Sequence, residues 1–185
     1  MSTDRRTLLA DAAIDVLAGT GIRGLTHRAV DRAANLPPGT TSAYYRTRSA
    51  LLTALVRRLV ALDQAELREL GEHTPVLRNA GELTAGLTLL VERRLAAEGR
   101  GRSLARYACA IESVHHTELR EILVPRRNPA RQAVTDFLAA QGVQDPEGRT
   151  VTLLTCVDGL VFDRLVNGGG VTEAEIGGLV AAALR

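Results

Sequence analysis

Apolar residues recur along this chain at helical spacing from end to end. Leu8, Ala12 and Val16 repeat at i, i+4, i+8, and so do Leu9, Ala13 and Leu17. That is the stripe of an amphipathic helix. Thr3 or Asp4 suits its cap, and Gly19-Thr20-Gly21 stops it. A second, short helix fits 26–34, with Thr26 as cap and Ala29, Val30 and Ala33 facing inward. Asn35 then tolerates the left-handed conformation of a sharp turn. Pro38 suits the first turn of a third short helix, to Tyr44 or Tyr45. Thr47 caps a fourth, in which Leu51, Leu52, Leu55, Leu59 and Leu62 keep the helical repeat.

The remainder carries the same period. The stretch 71–79, with Pro75, reads as a joint. A helix is expected over 80–98, broken by Gly99-Arg100-Gly101, with Ser103 capping the next to about His115. Thr117 starts another, and Pro125 and Pro129 forbid an unbroken run to 141. After a turn over 141–148, an apolar helix fits 149–166 and ends at Asn167-Gly168-Gly169-Gly170. Thr172 and Glu175 form a capping box that opens the last helix, to Leu184. No segment favours a strand: Leu153, Leu154, Val157, Leu160 and Val161 have helical spacing. The pattern predicts an all-α chain of about nine helices.

Composition excludes several classes. The 185 residues hold two Cys, too few for a disulfide scaffold or a four-thiolate zinc site. The longest apolar run, Leu179 to Leu184, is far short of the ~18 residues of a membrane span. The first six residues lack the apolar stretch of a secretion signal. A soluble cytoplasmic protein without membrane contact is expected. All 23 basic residues are arginine, and the net charge is only +2. Residues 1–60 hold nine Arg against four acids, +5, and residues 61–185 hold fourteen Arg against seventeen acids, −3. A basic head on a mildly acidic body fits a partner with a phosphate backbone.

Within the head, small residues at Ala29, Ala33 and Ala34, a turn at Asn35 and polar side chains at Thr40, Thr41 and Ser42 suit a helix-turn-helix. Helix starts at Thr26, Pro38 and Thr47 suit phosphates. A plain helical bundle is compatible with the same pattern.

Two stretches carry a resemblance. Residues 25–36, LTHRAVDRAANL, and 39–52, GTTSAYYRTRSALL, resemble the helix-turn-helix of the tetracycline-repressor (TetR) family of bacterial transcription regulators. The resemblance implies a three-helix DNA-binding domain over 1–48, a connecting helix over 48–70, and a helical ligand-binding and dimerisation domain over 71–185. It implies a homodimeric repressor released from a palindromic double-stranded operator by a small molecule. Carried onto this chain, it assigns DNA contact to Thr26, His27, Arg28, Pro38, Gly39, Thr40, Ser42, Tyr44 and Arg48, and core packing to Tyr45. The departures are Pro37 for a serine cap, Asn35 for glycine, Thr41 for a buried Leu or Val, and Ser42 for tyrosine.

In the body, placed polar groups on apolar helices suggest a ligand pocket. The candidates are Thr88, Glu92, Tyr107, Cys109, Ile111, Glu112, His116, Thr155 and Asp158. Glu112 and His116 are i, i+4, but two ligands are thin for a metal, and no metal or cofactor is expected. Cys109 and Cys156 leave open a ligand or redox sensor with weak or lost DNA binding as the alternative function. Leu154, Val157, Gly159, Val161, Ile176 and Val180 suit a dimer interface. No phosphate loop, nucleophile elbow or His-Glu-x-x-His motif suggests an enzyme.

Overall fold

A computed structural model describes residues 4–73, 77–123 and 128–185. The joint at Pro75, the break at Pro125 and a cap at Thr3 lie outside the described residues. Among those described, every regular element is a helix, and there are ten. Their order is α1 (Arg5–Gly24), α2 (His27–Ala33), α3 (Thr40–Tyr44), α4 (Arg48–His73), α5 (Ala80–Leu95), α6 (Ala97–Ser113), α7 (Thr117–Leu123), α8 (Pro129–Ala140), α9 (Pro146–Asn167) and α10 (Glu173–Ala183). The chain divides into two compact units, Met1–Gln64 with Arg100–Pro125, and Ala65–Gly99 with Arg126–Arg185.

In the first unit, the stripe Leu9, Ala13 and Leu17 of α1 meets Leu51, Leu55 and Leu59 of α4 in one buried core. Val30 of α2, Tyr45, Ala105 and Cys109 of α6, and Leu119 and Leu123 of α7 complete it. Burial of this kind supplies about 1.5–3 kcal/mol per large aliphatic side chain before entropy is counted. Gly21 stands at φ +69° and interrupts α1, the stop expected from Gly19-Thr20-Gly21. A forked pair, Arg58 Nε to Asp11 Oδ1 at 2.6 Å and Nη2 to Oδ2 at 3.1 Å, ties α4 to α1. Arg106 of α6 pairs with Asp63 of α4.

In the second unit, α10 packs on α5 and α9, α5 on α9, and α8 on α9. Leu83, Leu87 and Val91 meet Leu153, Val157, Val161 and Leu165, with Ile176 and Val180 from α10, all buried. On the other flank of α9, the buried Thr135 hydroxyl donates to Thr150 Oγ1 at 3.0 Å. The Thr172–Glu175 capping box forms as the sequence requires.

Three helix starts differ from the pattern reading. The break near residue 99 falls instead at Ala96, which is extended (ψ 156°), and α6 begins at Ala97 and runs through both glycines. Gly99 is buried, and a Cβ there would run into the Arg93 backbone carbonyl. The glycine is required by this corner rather than by a helix end. Helix α3 begins at Thr40 and not Pro38, because Gly39 adopts φ +92°. Helix α9 begins at Pro146, earlier than 149, because the Asp145 carboxylate accepts the Gly148 N–H at 3.1 Å and Pro146 suits the first turn. Pro129 likewise opens α8, with Asn128 as its cap.

Candidate nucleic-acid interface

The α2–α3 pair is built from local rules. Thr26 caps α2 by accepting the Ala29 N–H at 3.2 Å. Asn35 takes φ +53°, the left-handed turn its identity allows. Helix α3 has five residues, far below the roughly 12–15 that a free helix needs in water. Its order therefore comes from its neighbours. Its N-cap residue, Gly39, has no side chain with which to cap it, and Pro37 offers no hydroxyl.

The missing cap comes from the previous helix. Asp31 of α2, only 3% exposed, accepts the Gly39 N–H on Oδ2 at 2.8 Å. Its Oδ1 accepts the Thr41 N–H at 2.7 Å and the Thr41 hydroxyl at 2.6 Å. Thr41 is fully buried at the position where the family pattern has an aliphatic residue. Burial works against the Asp31 charge, but these hydrogen bonds and nearby His27 hold its carboxyl below the ordinary range. At the far end of α3, the His27 ring Nε2 lies 2.7 Å from the Tyr45 carbonyl. Tyr45 is buried, and its hydroxyl donates to the Arg6 carbonyl at 3.2 Å.

Around this pair the expected DNA-contacting residues take different positions. Thr26, Arg28, Pro38, Gly39, Ser42, Tyr44 and Arg48 are exposed. Thr40 is half-buried and donates its hydroxyl to the Pro37 carbonyl at 2.7 Å. His27 is half-buried and turned to Tyr45. Arg48 donates from Nη2 to the Ile22 carbonyl. Asp31 carries no pattern that marks it as a cap for α3, and the same holds for Arg6, whose guanidinium lies 5.5 Å from the Tyr44 ring centroid. An Arg near an aromatic pair in space has no local sequence signal here, since 38 residues of chain separate them.

The pocket candidates divide between the two units. Tyr107, Cys109, Ile111, Glu112 and His116 belong to the first, and Thr88, Glu92, Thr155 and Asp158 to the second. His116 approaches Glu112 at 3.4 Å and Glu118 at 3.6 Å. Among the described residues, no group of three or more His, Cys, Asp or Glu is placed to hold a metal ion. Asp158 faces Arg94 at 3.8 Å. Cys109 is buried in the first core, where burial, with Glu112 near, pushes its thiol up to about 12. Such a thiol is not a nucleophile at neutral pH. Cys156 is exposed.

Of the residues expected at a dimer interface, Val157, Val161, Ile176 and Val180 are buried inside the protomer and Leu154 is half-buried. Only Gly159 is exposed. The outward face of α9 is a different stripe: Val151, Thr155, Cys156, Gly159, Phe162 and Val166, with Phe162 49% and Val166 66% exposed.

Residues 78–185 match the family model for the tetracyclin repressor-like C-terminal domain. The chain belongs to the TetR family. Solved TetR-like structures share the fold over nearly the whole chain. A TetR-family member from Streptomyces coelicolor A3 is 24% identical, with a TM-score of 0.73 and 99% of each chain covered. A transcriptional regulator from Rhodococcus sp. Rha1 is 21% identical, with a TM-score of 0.76, covering 97% of this chain and 94% of its own. The multidrug binding protein EbrR, solved with ethidium, is 24% identical, with a TM-score of 0.69, covering 98% and 99%. No curated protein matches the chain. Among the described residues of this TetR-family chain, no helix is long and apolar enough to cross a membrane.

Proposed function

We propose that the protein is a sequence-specific DNA-binding transcription regulator, a repressor that leaves a palindromic operator when a small molecule binds. The observation that carries this reading is the α2–α3 pair. A short helix, fastened from behind by α2 through Asp31 and His27, leaves Ser42, Ala43 and Tyr44 exposed beside exposed Arg28. Side chains of this size and polarity read base edges, while Tyr44, Arg48 and Thr26 take phosphates. Residues 1–48 form the reader, 48–70 the connection and 71–185 the ligand-binding and dimerising part.

The dimer surface is the outward stripe of α9, which continues the exposed apolar face at Phe162 and Val166. EbrR was solved with ethidium, a planar aromatic cation. Ethidium is accordingly the first probe for the pocket, tested on the protein without DNA because it intercalates. The exposed acid Glu92 and half-buried Asp158, both in the second unit, supply the opposite charge.

The test is selection from a random duplex pool, followed by footprinting. A two-fold dimer yields a palindrome with half-sites about one helical turn, 10–10.5 bp, apart. A pool with no enriched sequence, or a footprint covering one asymmetric half-site, would refute the reading. The redox alternative is weakened by the buried, proton-holding Cys109.

A further inference from the structure

Helix α2 holds α3 at two points, four residues apart and hence on one face of α2. Asp31 takes the start of α3, and His27 takes its end. The two contacts differ in kind. His27 makes one contact to a backbone carbonyl at a half-buried site. Asp31 uses both carboxylate oxygens on three donors, at 2.8, 2.7 and 2.6 Å, and is buried. A buried ionised acid in this arrangement tolerates little displacement, because each donor it loses leaves charge without a partner.

The three donors define an orientation. Two are backbone N–H groups within a single turn, at Gly39 and Thr41, and the third is a hydroxyl on the only buried side chain of α3. A fork bound to that set fixes both the position of α3 and its rotation about its own axis. An aliphatic contact at position 41 would fix depth alone, since apolar packing is non-directional.

We propose that Asp31 is the positioning residue of the DNA reader: its carboxylate sets the rotation of α3 and so decides which base edges Thr40 and Ser42 meet. This rests on the DNA-binding reading above. Asp31 touches no DNA itself. Its removal therefore reduces discrimination between sequences, and leaves the phosphate-driven affinity intact.

The test compares wild type with Asp31→Asn, Thr41→Val and Thr41→Ser. The probes are a duplex that wild type enriches from a random pool and a scrambled duplex of equal length. Asparagine keeps the volume but offers one acceptor oxygen and presents donors toward Gly39. Asp31→Asn is expected to lower affinity for the enriched duplex about tenfold or more, the scale of hydrogen bonds to a charged group. Affinity for the scrambled duplex, set by phosphates, stays within about twofold. Thr41→Val, which keeps the shape and loses the hydroxyl, gives about a threefold loss on the enriched duplex alone, and Thr41→Ser restores it.

Circular dichroism at the assay temperature verifies equal helix content. If Asp31→Asn does not fold, the Thr41→Val and Thr41→Ser pair carries the comparison. A merely structural role lowers affinity for both duplexes together, through the folded fraction. An unchanged ratio of enriched to scrambled affinity in a folded variant overturns the proposal. A wild type that enriches no sequence overturns the DNA-binding function itself, and the proposal with it, and is recognised before any variant is made.

Discussion

Gly159 separates the dimer from the protomer more cleanly than any other residue on α9. A Cβ built there meets nothing within 4 Å, and the residue is exposed. Within one chain, Gly159→Leu replaces a poor helix former by a good one. It is expected to stabilise the protomer by about 0.8 kcal/mol. The proposed interface reverses the sign. If α9 packs on its two-fold mate along the stripe from Val151 to Val166, the small residue lies where the helices approach. Overfilling a packed site costs about 1–3 kcal/mol, and the two-fold axis counts it twice, about 2–6 kcal/mol per dimer. The dimer then weakens by about 30-fold or more. Sedimentation equilibrium over a range of concentrations reads this directly. Thermal unfolding below the dissociation constant reads the protomer gain. Both are needed, because dimerisation makes the melting temperature depend on concentration. A variant that melts higher yet dimerises like wild type would show that Gly159 faces water in the assembly and would refute the α9 stripe.

Other predictions follow from single side chains. The Asp31 carboxyl lies below its ordinary range in the folded chain, so its stabilisation is complete above the unfolded value of about 3.9 and is lost as pH falls through the folded value. The stability difference between wild type and Asp31→Asn, by urea unfolding, should be present at about pH 5 and close as pH falls below about 4. A difference that persists or widens below about pH 4 contradicts the assignment. Arg48→Ala should weaken binding equally for all sequences and lower the salt slope by about 0.9 per protomer, measured by mobility shift. No change in slope would leave Arg48 only its bond to the Ile22 carbonyl. A thiol reagent at about pH 8 should leave Cys109 unlabelled in the native chain and label it after denaturation, since burial holds its proton. Two fast thiols in the native chain would reopen the redox reading.

Most helices were legible because their causes are local. Thr26, Thr47 and Thr172 cap helices as their neighbours require, and Asn35 turns left-handed as its side chain permits. The errors arose where tertiary contact outweighed local preference. Gly99 suggests a helix end, yet it lies inside α6, where the Arg93 carbonyl leaves no room for a Cβ. Asp31 passed as one more acid on a helix. Its donors are eight and ten residues away, and no periodicity links them. Thr41 was legible as a departure from pattern, and the compensating acid was the half of the exchange that only geometry joins to it. On α9, both faces are apolar, so spacing alone cannot say which one the protomer keeps. The structure assigns Leu153, Val157, Val161 and Leu165 to the inside.

The two-point hold on α3 has a consequence for variation among sequences. Its fastening groups, Asp31, Thr41, His27 and the Tyr45 carbonyl, lie behind the helix, and Ser42 and Ala43 lie exposed on it. On the proposed DNA-binding function, holding and reading thus fall to different residues. Exposed positions on α3 are free to change identity without loosening the helix, since none of the three Asp31 hydrogen bonds uses them. A new operator is within reach by substitution at 42 and 43 alone, on a mount that stays the same.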